Sequence, residues 1–241
     1  MKRRFLTAEW RNLVMINYEI APKVVALFVP SGTELDSWNG KTFISLVGFL
    51  FLQTRVVGVP IPLHGNFEEI NLRFYVRRRG PEGWRRGVVF IKEIVPRRMI
   101  AAIARLVYNE NYVACPMGSS IQLPTERKVG HVEYRWQVRA SSHALKAEFG
   151  GIACYPEMGS EEEFITEHYW GYSSQRDGST LEYQVEHPQW RVWHATNVSL
   201  IGDVPSFYGP PFADALSQNP SSAFVADGSP VIVRRGARIS G

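Results

Sequence analysis

Apolar and polar positions alternate strictly in several stretches of the chain, and each such stretch predicts a strand with two unlike faces. Between Glu68 and Val76, the side chains of Ile70, Leu72, Phe74 and Val76 point one way, and Glu69, Asn71, Arg73 and Tyr75 point the other. From Val132 to Val138, Val132, Tyr134, Trp136 and Val138 oppose Glu133, Arg135 and Gln137. Both suit antiparallel sheet with one wet face or one polar interior. Phe43 to Leu52 and Val88 to Val95 are instead apolar on both faces, which predicts central strands covered on both sides. Trp10–Tyr18, His143–Phe149, Leu181–Glu186, Val192–Leu200 and Val231–Arg235 are further expected strands. A hairpin joins Leu72–Arg77 to Val88–Glu93 across the turn Gly80-Pro81-Glu82-Gly83.

Helical spacing is rarer. After Pro96, Ile100, Ile103, Ala104 and Val107 predict a helix over Arg97–Tyr108, with shorter ones over Pro22–Phe28, Glu161–His168 and Phe212–Ser217. Ser160 is an expected N-cap, with Glu161, Glu162 and Glu163 where the helix dipole favours carboxylates. Gly118–Gly130 and Arg176–Ser179 are expected loops. Many strands and few helices make the fold class α+β, mainly β, with residues 1–241 as one domain.

Composition narrows the function classes. With 45% hydrophobic residues and 12% aromatics the chain can build a large core without staples. Cys115 and Cys154 belong to no CxxC pair, so free thiols in a reducing, cytoplasmic setting are expected, with no metal and no cofactor. The cationic start, Met1-Lys2-Arg3-Arg4, is followed by Thr7, Glu9, Arg11 and Asn12, which interrupt any export signal. The longest apolar run is about half of a membrane span, so no membrane partner is expected. Net charge is +4, yet Arg77, Arg78, Arg79, Arg85 and Arg86 cluster at the hairpin tip, and without them the balance is near neutral. Only Trp84 offers a stacking ring among them, so a nucleic-acid role ranks behind a solvated tip. Glu167-His168, Glu186-His187 and His194 show no metal-ligand spacing and are expected to pack ordinarily. Trp170, Tyr172, Trp190 and Trp193 are expected in the core or around a cavity.

Lys92 and Glu93 break an otherwise apolar strand, so at least one of them is expected to point where a charge is paired or used. By simple alternation Glu93 shares a face with Val89, Ile91 and Val95, and Lys92 lies opposite with Phe90 and Ile94. The plain alternative is an internal ion pair with Arg73 or Glu69.

Phe90-Ile91-Lys92-Glu93-Ile94-Val95-Pro96-Arg97-Arg98, Asn66-Phe67-Glu68-Glu69 and Tyr108-Asn109-Glu110-Asn111-Tyr112 together resemble the uncharacterised YqjF-like family. Glu163 to Tyr172 and Ser222 to Pro230 extend the resemblance over nearly the whole chain. That family is placed with the acetoacetate decarboxylase-like superfamily, which implies a cone-shaped antiparallel β-barrel enclosing a ligand cavity. In the decarboxylase an Arg-Glu-Ile strand leads into a Pro-Lys-Lys turn, where one lysine forms a Schiff base. Lys92-Glu93-Ile94 and Pro96-Arg97-Arg98 resemble these parts with a spacing about two residues shorter. Arginine stays protonated and forms no imine, so the resemblance implies a site that has lost this lysine pair. It also implies Glu93 and Glu69, with Glu68 as the alternative, as a facing acid–base pair, and Lys92 as the only nearby amine. Arg97, Arg98 and Arg73 are the expected anchors for an anionic or carbonyl-bearing small molecule, and a homo-oligomer is a further implication. A binding protein without catalysis is the alternative reading.

Overall fold

The computed structural model describes residues 3–61, 65–96, 109 and 111–239; the expected helix Arg97–Tyr108, and with it Arg97 and Arg98, lies outside the described residues. The first half of the chain supplies β1 (Arg4–Glu19), β2 (Glu34–Leu35), β3 (Phe43–Val56), β4 (Val59–Pro60), β5 (Phe67–Gly80), β6 (Gly83–Val95) and β7 (Tyr112–Ala114). The second half supplies β8 (Met117–Gln122), β9 (Gly130–Val138), β10 (Ser141–Phe149), β11 (Trp170–Ser174), β12 (Thr180–Glu186), β13 (Val192–Ile201), β14 (Ser222–Arg234) and β15 (Ala237–Ile239). Helices are short: α1 (Pro22–Val25), α2 (Glu161–Thr166), α3 (Val204–Tyr208) and α4 (Pro210–Leu216).

Pairing runs β12-β11-β6-β5-β3-β1-β14, and β14 pairs back to β12 through Val185↔Val233 and Glu186↔Ile232, so seven strands are linked in a ring. All these pairs are antiparallel except β6 with β11. From β14 the sheet continues through β13, β10, β9 and β8. This second part folds over the outside of the ring, where Tyr134, Trp136, Leu145 and Phe149 join Ile44, Leu46, Ile70 and Leu72 in one apolar cluster.

The central strands are apolar on both faces because both faces are buried. On β1, Val14 and Ile16 enter the outer cluster while Leu13 and Met15 enter a second cluster inside the ring. On β5 the expected alternation holds: Ile70, Leu72, Phe74 and Val76 face outward into the first cluster, and Tyr75 faces the interior. Gly48 of β3 lies where the overlying sheet comes close. A Cβ there would sit 2.8 Å from Tyr134 Cδ2 and 2.9 Å from Leu145 Cδ2. Gly48→Ala is therefore expected to cost about 1–2 kcal/mol through overpacking, read as a lower denaturant midpoint at unchanged slope.

Several boundaries differ from expectation. β1 begins at Arg4 and not Trp10, and β14 begins at Ser222 and not Val231, although Asp227-Gly228-Ser229-Pro230 has the composition of a turn. Pairing to β1, from Arg11↔Gly228 to Glu9↔Pro230, keeps Gly228, Ser229 and Pro230 in the sheet, with Gly228 at φ +80°. Part of the expected loop Gly118–Gly130 is β8, a polar outer strand paired to β9. β11, Trp170–Ser174, was not expected as a strand either. α2 ends at Thr166 and not His168, and its cap is as expected: Ser160 Oγ accepts from Glu163 N at 3.1 Å. Among the described residues no helix is long and apolar enough to cross a membrane.

Candidate active site

The ring encloses a cavity of about 140 Å³ with walls that are mostly aromatic and aliphatic. β5 carries its polar face into it: Glu69, Asn71 and Arg73, at alternate positions, all line the cavity. β6 adds Val88, Phe90 and Glu93. That set is not what simple alternation predicts, because a β-bulge interrupts the pairing: Leu72 pairs with Lys92, but Arg73 pairs with Phe90. Ile91 is the extra residue, and it reverses the phase of the strand. Val89 and Ile91, expected beside Glu93, accordingly pack in the outer cluster, and Phe90, expected opposite, lines the cavity.

Three charged side chains are brought together in this apolar space. Glu93 is 1% exposed, Glu69 3% and Arg73 8%. The two glutamates are not directly opposed. Glu93 pairs across the strands with Asn71, and Asn71 Nδ2 donates to Glu69 Oε1 at 3.2 Å, so an amide stands between diagonal neighbours. Glu68 points the other way, where it accepts from Ser119 Oγ at 2.9 Å.

Lys92 is on the opposite face of β6 from Glu93. Its ammonium donates to the Phe207 carbonyl of α3 and lies 4.2 Å from the Phe207 ring centroid, and burial lowers its pKa. The amine that sequence placed with the site thus belongs to the outer core, and among the described residues no lysine lines the cavity.

Arg73 makes neither of the ion pairs expected with Glu69 or Glu93. Nη2 donates to the Ile165 carbonyl at 3.1 Å, and the guanidinium carbon lies 5.6 Å from the Tyr75 ring centroid. Among the described residues no carboxylate lies within 4.0 Å of it.

His168, expected to pack ordinarily, is a cavity residue that sequence reasoning missed. It is 7% exposed, sits 4.6 Å from the Tyr75 ring and 5.3 Å from that of Phe164, and follows the end of α2 directly. Nε2 lies 3.6 Å from Asp36 Oδ2, longer than a hydrogen bond, and the same oxygen accepts from Arg86 Nε at 2.7 Å. Burial pushes the His168 pKa down to about 4, with the charges of Arg86 and Arg73 acting the same way against the pull of Asp36. His168 is neutral at pH 7. Burial works to raise the Asp36 carboxyl, but His168 and Arg86 together hold it down to about 2. Asn71 Oδ1, Arg73 Nε and both ring nitrogens of His168 have no hydrogen-bond partner among the described residues. Buried polar atoms rarely remain so, and here they surround space large enough for a guest.

Of the four aromatics singled out in sequence, Trp170 and Trp190 line the cavity, whereas Tyr172 and Trp193 pack in the outer cluster. The hairpin arginines are met by acids or rings. Arg77 bonds Glu34, Arg78 and Arg85 share the buried Glu182, Arg86 reaches Asp36, and Arg77 and Arg79 lie over Trp84. These contacts engage the charge that motivated a nucleic-acid reading. Among the described residues no three His, Cys, Asp or Glu side chains converge on a metal-binding point.

A guanidinium with an unsatisfied N–H, two carboxylates and a neutral imidazole in a largely apolar cavity can hold an anion and move protons beside it.

The fold recurs in solved structures. The enduracididine biosynthesis enzyme MppR, complexed with pyruvate, superposes with a TM-score of 0.71 over 100% of this chain and 91% of its own, at 12% identity. The acetoacetate decarboxylase of Legionella pneumophila subsp. pneumophila str. Philadelphia 1 matches at TM-score 0.67 and 12% identity, covering 98% of this chain and 87% of that one. An acetoacetate decarboxylase-like enzyme from Sphingomonas wittichii RW1 matches at 0.66 and 10% identity, over 99% and 94%. At such identities the likeness is one of fold. In sequence, the uncharacterized protein YqjF of Bacillus subtilis (strain 168) is 25% identical over 211 residues, 83% of this chain and 80% of that protein. The DUF2071 model, described as an uncharacterized conserved protein, matches residues 7–230, and the chain belongs to that family.

Proposed function

We propose that this chain, folded as one domain in the cytoplasm, binds and transforms a small anionic or carbonyl-bearing organic molecule in the ring cavity, without the imine-forming lysine pair of the decarboxylase. The observation that carries this reading is the buried Arg73 guanidinium, which lines an apolar cavity with Glu69 and Glu93 and has no carboxylate within 4.0 Å among the described residues. A buried cation is costly unless something compensates it, and a ligand carboxylate beside Arg73 would supply that compensation. In this reading Glu93 is the general acid or base, Glu69 its partner through Asn71, and Arg73 the anchor. Arg97 and Arg98 serve as further anchors in this reading, since arginine can clamp an anion and cannot form an imine. That MppR has been solved with pyruvate supports a ligand of this kind.

A thermal-shift screen of small keto acids, enolisable ketones and phosphorylated metabolites tests the proposal, run on the unaltered protein and on Arg97→Gln/Arg98→Gln. A ligand-dependent rise in melting temperature that the double variant reduces is the expected result, and no shift with any compound removes the reading. Glu93→Gln then separates an enzyme from a binding protein. In an enzyme turnover is lost while affinity for the ligand persists; in a binding protein there is no turnover to lose.

A further inference from the structure

We infer that the ligand is a monocarboxylate with a compact apolar body, a single aromatic ring or a branched alkyl group, and not a two- or three-carbon acid; this rests on the cavity reading above. The charged groups of the lining are gathered on β5 and β6 with His168 near them, and Thr54, Tyr112, Thr166 and Tyr183 add hydroxyl-bearing side chains. Rings make up much of the rest of the wall: Phe49 of β3 pairs with Glu69, Phe51 pairs with Phe67 of β5, and Trp10 and Trp190 pack beside them.

These rings already meet in the geometries that aromatic guests adopt. Trp10 presents edge contacts to Phe49 at 5.3 Å and 66° and to Phe51 at 5.7 Å and 78°, and Phe51 stacks on Phe67 at 4.7 Å. A pyruvate-sized guest anchored on Arg73 would leave such a wall facing empty space or poorly held water, because apolar walls do not hydrogen-bond water. An apolar protein cavity of roughly 150 Å³ takes a benzene-sized guest, so about 140 Å³ has room for a single ring. Phe90 of β6 stands on the same strand face as Glu93, two pairing positions from it across the bulge, and pairs with Arg73, so it sets a ring beside the anchoring guanidinium.

The test is calorimetric titration of the full chain with four probes: pyruvate, 4-methyl-2-oxopentanoate, phenylpyruvate and the neutral 1-phenylpropan-2-one. Each CH₂ group buried strengthens binding about fourfold, so the two larger acids are expected to bind about 30-fold or more tighter than pyruvate. The neutral ketone is expected at least about 30-fold weaker than phenylpyruvate, for want of the carboxylate. Phe90→Ala is expected to weaken phenylpyruvate about tenfold and pyruvate little; Phe90→Leu serves where the alanine variant does not fold. If pyruvate binds as well as the larger acids, the apolar-body inference is overturned and the cavity reading stands. If the neutral ketone matches phenylpyruvate, the carboxylate half is overturned. If none of the four binds, the inference is overturned, and the cavity reading is decided by the thermal-shift screen.

Discussion

Arg73→Met is expected to weaken binding of a carboxylate ligand at least about 100-fold while leaving the melting temperature unchanged or raised. The two effects part because of where the guanidinium sits. It is 8% exposed, receives the Ile165 carbonyl and the Tyr75 ring as company, and meets no carboxylate within 4.0 Å among the described residues. Removing one partner of a buried ion pair strands the other charge, but here no described carboxylate is stranded and only the Ile165 carbonyl loses a donor. Met fills the space of the stem and removes an uncompensated charge, so the folded state loses little. The ligand loses a charge-assisted contact in a largely apolar site, for which about 3 kcal/mol is a fair magnitude. Arg73→Lys should recover only part of it, since an ammonium cannot reproduce the planar fork. Titration calorimetry and thermal melts on the same preparations check this. A melting temperature lowered by ten degrees or more with affinity intact would mean that Arg73 is a structural cation.

Acid is expected to destabilise the fold in two successive steps, the first of which His168 shares with His187. In the unfolded chain this imidazole takes a proton as pH falls through 6.5, whereas in the folded state burial, Arg86 and Arg73 defer protonation to about 4. Between those values the unfolded state binds more protons, so stability falls with falling pH, by about 3 kcal/mol for a displacement of this size. His187 is also lowered to about 4, chiefly by burial, and acts in the same window and direction. Asp36 acts later. Its carboxyl is held at about 2 against an ordinary 3.8, so its stabilisation is complete above 3.8 and is lost as pH falls towards 2. Urea denaturation at pH 7, 5.5 and 4 would show the first step. His168→Phe, which the neighbouring Tyr75 and Phe164 rings can accommodate, should flatten it by His168's share. Parallel curves for the two proteins would assign the acid sensitivity elsewhere.

Much of the site was legible because β5 obeys a period of two from Glu69 to Val76. Glu69, Asn71 and Arg73 against Ile70, Leu72 and Phe74 can be read from sequence alone, and the structure places the first three in the cavity and the others in the outer core. β6 was legible only in part. Its composition marks it as a central strand, but a bulge leaves no mark in a run of apolar residues, and one extra residue at Ile91 moves Phe90 into the cavity and Val89 out. Lys92 went astray for a different reason. Alternation did separate it from Glu93, but only the tertiary structure shows that its face is covered by α3. His168 was illegible: a lone histidine after a short helix has no period to betray its direction, and its role comes from Asp36, Arg86 and Tyr75, which are remote in sequence.

By itself, then, the amino-acid sequence determined the strand-rich class, the doubly buried β3, the polar face of β5 and the family, because periodicity and long motifs are local properties that each segment carries with it. The tertiary structure alone decided the closure of β12 on β14, the phase of β6, the absence of an Arg73 ion pair within the described residues and the entry of His168 into the cavity. Those depend on register and on contacts between segments far apart in the chain, and a one-residue change of register moves a side chain from one face of a sheet to the other without altering any local pattern.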